Sequence, residues 1–504
     1  MTRGELMRQT TCVIDSEACI DVGSIEPSIL TQITQRHTVL NPEMERAQLL
    51  GNNTKHLSRD VKLYRYEEKC GRRMLHLPRG TVLETLGLLS RRGYYCEVDN
   101  QTLSDKVPPM TMEEIWRRGI KLRPYQREAL EVMLKRVQGH VVLPCGAGKT
   151  VIGSCAIIAS RQPAIVLVHT EDLFKQWVEV FRNMHGKRVR QVDSSSLAGF
   201  KWRPLDPQEV AVCMVQTLHA NRYQRSALVG TAGAVLVDEC HHSPAYSFRA
   251  LFEEMPARFR WGMTATPERS DGWSGLIKMY IGPMLYSKKM QEIVDAGYLM
   301  QPEILALSTG VVPPPSRSIR TSATNAVNWV SDDEGRKSLL LRMATFAAES
   351  GRIVLMLLPR VSLAVEISKR LRSAGVSSRA VTGKASKGER ALALDQVREG
   401  QVSVLCATQL ADEGLDLPVV DFLINASGGR ASGRSIQRIG RVMRVSPDKP
   451  KPIVVEVVDG GDMFMRQWTA RSLAYRKQLN CEPSSLMQPG EVLGYLQRKL
   501  YGGF

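Results

Sequence analysis

Residues 141–150 read VVLPCGAGKT, a run whose residue types suit a loop that holds phosphate. Gly148 leaves nothing bulky beside the phosphates, Lys149 supplies a cation to their oxygens, and Thr150 can place a hydroxyl on a Mg²⁺ ion. Leu143 stands where the usual pattern has its first glycine. That position falls at the end of a strand, where a side chain need not touch phosphate, and Gly146 leaves the loop its freedom to turn. The stretch AVLVDECHH offers the complementary chemistry. Its apolar strand ends in two carboxylates, of which Asp238 can hold Mg²⁺ and Glu239 can orient and deprotonate the water that attacks a γ-phosphate. An acidic pair at a strand end can also be a solvated turn, but the phosphate loop upstream makes the two parts of one machine. Cys240, His241 and His242 invite a zinc reading, against which their adjacency speaks, because neighbouring side chains point in different directions. His241 is better suited to relay the state of the phosphate site to the downstream TAT, with Thr264 and Thr266.

Such residues must be carried by strands. Short β-branched runs alternate with helical patterns twice: GHVVLP, AIVLVHT, VAVCMVQT, AVLVDE and RFRWGMTAT, then GRIVLMLLP, SVLCATQ, VVDFLINAS and PIVVEVVDG. This alternation predicts two parallel sheets wrapped by helices. Between them STGVVPPPSRSIRTSATNAV, about residues 308–327, has the composition of a connector. LAVEISKRLRSAG keeps its apolar residues on one helical face and ends on Gly375, as a helix packed on the second sheet would. Residues 1–112 read as a mixed strand and helix module without a motif, bounded by DKVPPM.

At 504 residues the chain calls for three or four domains. With 43% hydrophobic and 24% charged residues it has the balance of a soluble globular protein. The net charge of +17 is unevenly spread. Residues 1–115 hold 15 Lys and Arg against 16 Asp and Glu, leaving 53 against 35 beyond, so an anionic polymer is the expected partner of the later part. Ten cysteines without a CxxC pair suggest reduced thiols, and the apolar runs are too short to span a bilayer. A soluble, intracellular protein is expected, with no membrane partner.

With LPCGAGKT, VDECHH, GMTATPERSDG, CATQLADEGLDLP and QRIGRVMR in this order, the chain resembles the superfamily 2 helicases over about residues 115–470. The resemblance is to the XPB-like branch in particular, with its bacterial, phage and poxvirus relatives. It implies tandem RecA-like domains that bind ATP and Mg²⁺ and move on nucleic acid. In LRPYQREAL, Gln126 resembles the glutamine that reads adenine, with Arg123 nearby. LVHTEDLFKQW and VQTL resemble backbone grips, with Thr170, Gln176 and Thr217. VTGKASKGER and CATQLADEGLDLP resemble the second half of the track, with Thr382, Gly383 and Thr408 near phosphate and Gly414 and Asp416 at the nucleotide. QRIGRVMR resembles the arginine-finger motif: Arg441 and Arg444 for the γ-phosphate, Gln437 as a sensor, and Arg438 with a structural ion pair as its alternative.

The resemblance divides the chain into an N-terminal α+β accessory domain that selects the substrate (1–112), the ATP-binding RecA-like domain (113–308), a linker (309–337), the second RecA-like domain (338–462) and a helical tail (463–504). It departs from the XPB pattern after TAT, where PERSD, with Glu268, Arg269 and Asp271, stands in place of an Arg-Glu-Asp triplet, and no thumb insertion is identified. Leu143 is no departure, since this superfamily often lacks glycine there. The implied activity is that of a monomeric, ATP-dependent DNA helicase or duplex translocase with 3′-to-5′ polarity. An RNA helicase or transcript-release translocase shares every motif, and a scaffold with a dead ATPase would not need Lys149, Glu239 and Arg441 all intact.

Overall fold

The computed structural model describes residues 8–49, 53–54, 57–104, 107–184, 188–197, 200–241, 245–265, 272–314, 319–383, 385–408, 417–429 and 432–501. It comprises two compact units, residues 1–143 with 148–287, and residues 144–147 with 288–504.

The first unit is built on a seven-stranded, wholly parallel sheet in the order Val189–Val192, Val210–Met214, Ala164–Val168, Ala234–Val237, Phe259–Thr264, Gln138–Val142, Met284–Ser287. Its inner strands read as unbroken apolar runs because helices cover both faces. AIVLV, for example, is buried at every residue. The helix Lys149–Ser160 follows the phosphate loop and is buried along most of its length. A Cβ at Gly153 would stand 2.6 Å from Met263 Cε and 2.8 Å from Trp177 Cη2, so this helix can lie close to the sheet only with glycine there. The helix Glu171–Glu179 is capped at Thr170, whose hydroxyl accepts from the Leu173 amide, and it buries Phe174, Trp177 and Val178.

The N-terminal module packs on this sheet. Its own five-stranded sheet, in the order Arg65–Lys69, Arg72–Pro78, Glu17–Asp21, Arg8–Ile14, Tyr94–Asn100, is antiparallel except for its last pair. The helices Pro27–Arg36 and Val82–Arg91 bury Ile29, Ile33, Leu88 and Leu89 in its core. Two buried arginines join module and motor through carbonyl oxygens. Arg79 donates to Gln138 Oε1 (2.7 Å) and to Asp15 O (2.8 Å), while Arg260 donates to Met255 O (2.6 Å), Tyr280 O (2.9 Å) and Ser16 O (3.2 Å). Gly80 sits so near the Lys278 and Met279 carbonyls that any Cβ there would collide with backbone. Leu63, backed by Val39 and Val61, belongs to the apolar cluster beneath the parallel sheet.

The second unit repeats the design, with a parallel sheet in the order Ser378–Val381, Val404–Thr408, Val354–Leu358, Phe422–Asn425, Ile453–Val458, Glu303–Ser308, Leu486–Met487. The helix Val361–Ser373 lays Leu363, Ala364, Ile367 and Leu371 on it.

One segment lies across an expected boundary, and the connector and tail take these places. Glu303–Ser308, assigned above to the first domain, pairs with Ile453–Val458 in the second sheet, because its register supplies hydrogen bonds to that strand throughout. The connector is helical from Ile319 to Asp332, with Val330 buried and Arg360 ion-paired to Asp332. The tail does not stand apart: Leu486–Met487 adds to the sheet, and Val492 and Leu496 join its core.

Candidate nucleotide and nucleic-acid site

The phosphate loop leaves the strand Gln138–Val142 at its carboxyl end, where open parallel sheets bind ligands. Leu143 is wholly buried, and its amide donates to Thr264 O (3.0 Å), so the residue in the glycine's place serves the core. Gly148 has a φ of +77°, which a side chain would strain, and Lys149 and Thr150 open the helix behind it. A Cβ at Gly148 would lie 2.5 Å from Gln126 Nε2. Gln126 is buried, its Oε1 accepting from the Arg123 amide at 2.9 Å, and Arg123 Nη1 donates to the Tyr125 hydroxyl at 3.2 Å. Thus the fold sets the proposed adenine reader directly against the phosphate loop.

Asp238 and Glu239 follow the neighbouring strand Ala234–Val237. Asp238 is buried: its Oδ2 accepts from the Trp177 indole at 2.8 Å and its Oδ1 from the Glu239 amide at 2.9 Å. Burial, and then the nearby Glu239 charge, push its pKa up to about 6, against the pull of Lys149 and these hydrogen bonds. A carboxylate so short of positive charge suits a divalent cation. Glu239 adopts a left-handed backbone, φ +45°, at a cost of about 1–2 kcal/mol. The turn sends its carboxylate to Lys149, with Oε1 3.3 Å from Nζ. Glu239 Oε2 accepts from the Ala265 amide at 3.4 Å and lies 3.4 Å from His241 Nδ1, which in turn is 2.7 Å from Thr264 Oγ1. Lys149, Glu239, His241 and Thr264 form one chain of contacts. Thr266, Glu268, Arg269 and Asp271 lie outside the described residues, as does His242. No group of three His, Cys, Asp or Glu side chains able to hold a metal occurs among the described residues.

Thr170 and Thr217 follow the paired strands Ala164–Val168 and Val210–Met214 at their shared carboxyl edge. Gln176 lies half-buried on the helix that Thr170 caps. Thr217 is buried, whereas its neighbour Gln216 is exposed and donates to His169 O at 3.0 Å. Sequence reading missed Gln216, as it missed the Trp177 indole. A buried aromatic on an amphipathic helix gives no sign of the acid it serves.

In the second unit, Thr382 and Thr408 are buried at the carboxyl ends of the paired strands Ser378–Val381 and Val404–Thr408, with Gly383 exposed beside them. The Thr408 hydroxyl has no hydrogen-bond partner among the described residues. Arg441 and Arg444 are half-buried at and just beyond the end of the helix Ser432–Val442. Lys449 Nζ donates to Arg444 O (2.9 Å), and Arg438 is buried and donates to the Ser427 hydroxyl (3.0 Å). Gly414, Asp416 and the side chain of Gln437 lie outside the described residues.

Comparison with known proteins agrees with this geometry. Residues 119–269 match the family model of the type III restriction enzyme res subunit, and residues 336–446 match that of the helicase conserved C-terminal domain. A Kineococcus radiotolerans protein named DNA 3′-5′ helicase XPB is 28% identical over 66% of this chain and 58% of its own length. A Sulfurisphaera tokodaii protein named DNA 3′-5′ translocase XPB2 is 25% identical over 73% of this chain and 88% of its own. The solved structure of S. cerevisiae Dbp5 bound to RNA and ADP BeF3 shares the fold, with a TM-score of 0.55 at 17% identity, covering 77% of this chain and 96% of that one. The phosphate loop, the acid pair and the two parallel sheets therefore have one common explanation: the chain carries both helicase domains and fits the superfamily 2 helicases, being similar to proteins of their XPB-like branch.

Proposed function

We propose that the chain uses ATP hydrolysis to move 3′ to 5′ on DNA, unwinding or translocating along the duplex. The observation that carries this reading is the contact between Lys149 and Glu239 beside the buried Asp238, with Gln126 against Gly148. Gln126 and Arg123 hold the adenine end, while Gly146, Gly148 and Lys149 receive the phosphates. Thr150 and Asp238 would hold Mg²⁺, which when bound neutralises charge on the phosphate oxygens.

Lys149 Nζ lies 3.3 Å from Glu239 Oε1. Lys149 is assigned to the phosphate oxygens, and Glu239 to orienting and deprotonating the attacking water. His241 is assigned the relay of the state of the phosphate site to Thr264, and Thr266 continues the same segment. Arg441 and Arg444 are assigned to the γ-phosphate, Gln437 to sensing it, and Gly414 and Asp416 to the nucleotide. Thr170, Gln176, Thr217, Thr382, Gly383 and Thr408 are assigned to the strand backbone, and residues 1–112 to substrate choice. For Thr217, Thr382 and Thr408 this role requires the local turn to open, since these side chains are buried.

The deciding experiment measures ATP turnover with duplex DNA, single-stranded DNA, RNA and no polymer. Stimulation by DNA well above RNA is expected, and stimulation by RNA alone would overturn the choice of track.

A further inference from the structure

A groove of about 720 Å³ lies where the N-terminal module meets the motor, and none of the roles above uses it. Its lining includes exposed apolar surface: Leu83 of the helix Val82–Arg91 is 73% exposed, and Met284, which opens the edge strand Met284–Ser287, is 56% exposed. The lining also includes cations. Lys135 and Arg136 end the helix Pro124–Arg136, and Arg258 immediately precedes the strand Phe259–Thr264. All three are exposed, and none has an ion-pair partner among the described residues. The acid in the lining, Glu84, is already paired with Lys278 at 2.6 Å.

The groove sits at the amino ends of the strands Gln138–Val142 and Phe259–Thr264, whereas the phosphate loop and Thr264 lie at their carboxyl ends. A strand of this length spans about 16 Å. The groove is thus separate from the nucleotide site and from the carboxyl edge assigned to nucleic acid.

We propose that this groove is a docking surface for a partner protein, and that its occupant is an acidic segment carrying an apolar anchor side chain. The charge complementarity is direct: three cations without an ion-pair partner among the described residues line the channel, and the Glu84 carboxylate is neutralised. The apolar wall argues for a peptide over a nucleic acid, because a phosphate backbone gains nothing from Leu83 and Met284. Among the described residues no aromatic ring lines the groove for a base to stack on. Residues of both the module and the motor line it, so an occupant bridges the two and raises the melting temperature by binding only the folded state.

The test uses the full chain and a set of short fluorescein-labelled peptides. They are rich in aspartate and glutamate, with a single leucine, methionine or phenylalanine at each position in turn. Fluorescence anisotropy is expected to saturate for members of the set, and the melting temperature to rise with them. Affinity should fall on the order of tenfold for each of Lys135→Glu and Arg258→Glu, and should fall with Leu83→Asp, while ATP turnover stays as in the wild type. The milder Lys135→Gln with Arg258→Gln serves if a reversal lowers the melting temperature, with a loss in the same direction expected. The proposal is overturned if no peptide of the set saturates the wild-type protein, if these substitutions leave affinity unchanged, or if the peptide lacking its apolar residue binds equally well. Displacement of the peptide by an oligonucleotide would also overturn it, by making the groove a nucleic-acid surface.

Discussion

Trp177→Phe removes a single N–H from the site while keeping an aromatic ring in a fully buried position. That N–H donates to Asp238 Oδ2 at 2.8 Å. A hydrogen bond to a charged group is worth about 1.5–3 kcal/mol, and one pKa unit corresponds to about 1.4 kcal/mol, so its loss should raise the Asp238 pKa by roughly one to two units. The starting value is already pushed up to about 6 by burial and by Glu239. In the variant Asp238 holds its proton to a higher pH than in the wild type, and that proton sits where the cation should bind. The sign follows: ionisation is needed for Mg²⁺, so activity is lost as pH falls through the raised pKa, and it recovers at alkaline pH. The assay is kcat/KM for ATP across pH, which reports groups in the free enzyme. The acid limb should move to higher pH than in the wild type, by roughly one to two pH units, with the alkaline plateau approaching wild type. A melting curve separates this from a packing defect. An unmoved acid limb, or an equal loss at every pH, would refute the account of Asp238.

Glu239→Gln should bind ATP and remain on nucleic acid without turnover, and wild-type hydrolysis by this variant would sink the assignment of the base. Gly148→Ala combines strain at φ +77° with a Cβ 2.5 Å from Gln126 Nε2, so a fluorescent-nucleotide titration should show weaker binding together with poorer discrimination between ATP and GTP. Arg441→Lys keeps the charge but loses the planar fork, and should bind ATP and DNA nearly as before while stimulated turnover falls by roughly 10³ or more, as measured in single-turnover assays. Gly80→Ala presses a methyl group into the Lys278 and Met279 carbonyls and should cost about 1–3 kcal/mol in chemical denaturation. An unchanged midpoint would show that the backbone there yields freely.

Both parallel sheets were legible because strands covered on two faces leave unbroken apolar runs such as AIVLV and VLMLL. The phosphate loop and the acid pair were legible because their chemistry depends on neighbours in the chain. What escaped depends on partners far away. Nothing local in EILALS says which sheet it will join, since its pairing with Ile453–Val458 is decided some 150 residues later. The helix Ile319–Asp332 is rich in Ser, Thr and Asn, and its position depends on Val330 and on the ion pair of Asp332 with Arg360. Trp177 meets Asp238 only after folding, and the left-handed turn at Glu239 carries no glycine to announce it.

The apolar cluster that takes in Leu63, Val39 and Val61 makes the N-terminal module and the motor share a core. Two bodies with a common core are expected to unfold in a single cooperative transition. Cutting the chain near residue 112 would strip that core and remove Ser16 O from Arg260, leaving a buried guanidinium with one acceptor fewer. A truncated protein that failed to unwind forks would therefore report a damaged engine as readily as a missing guide. The module is built into the motor and is not an attachment to it, so grafting it onto another helicase would require transferring the face of the sheet on which it packs.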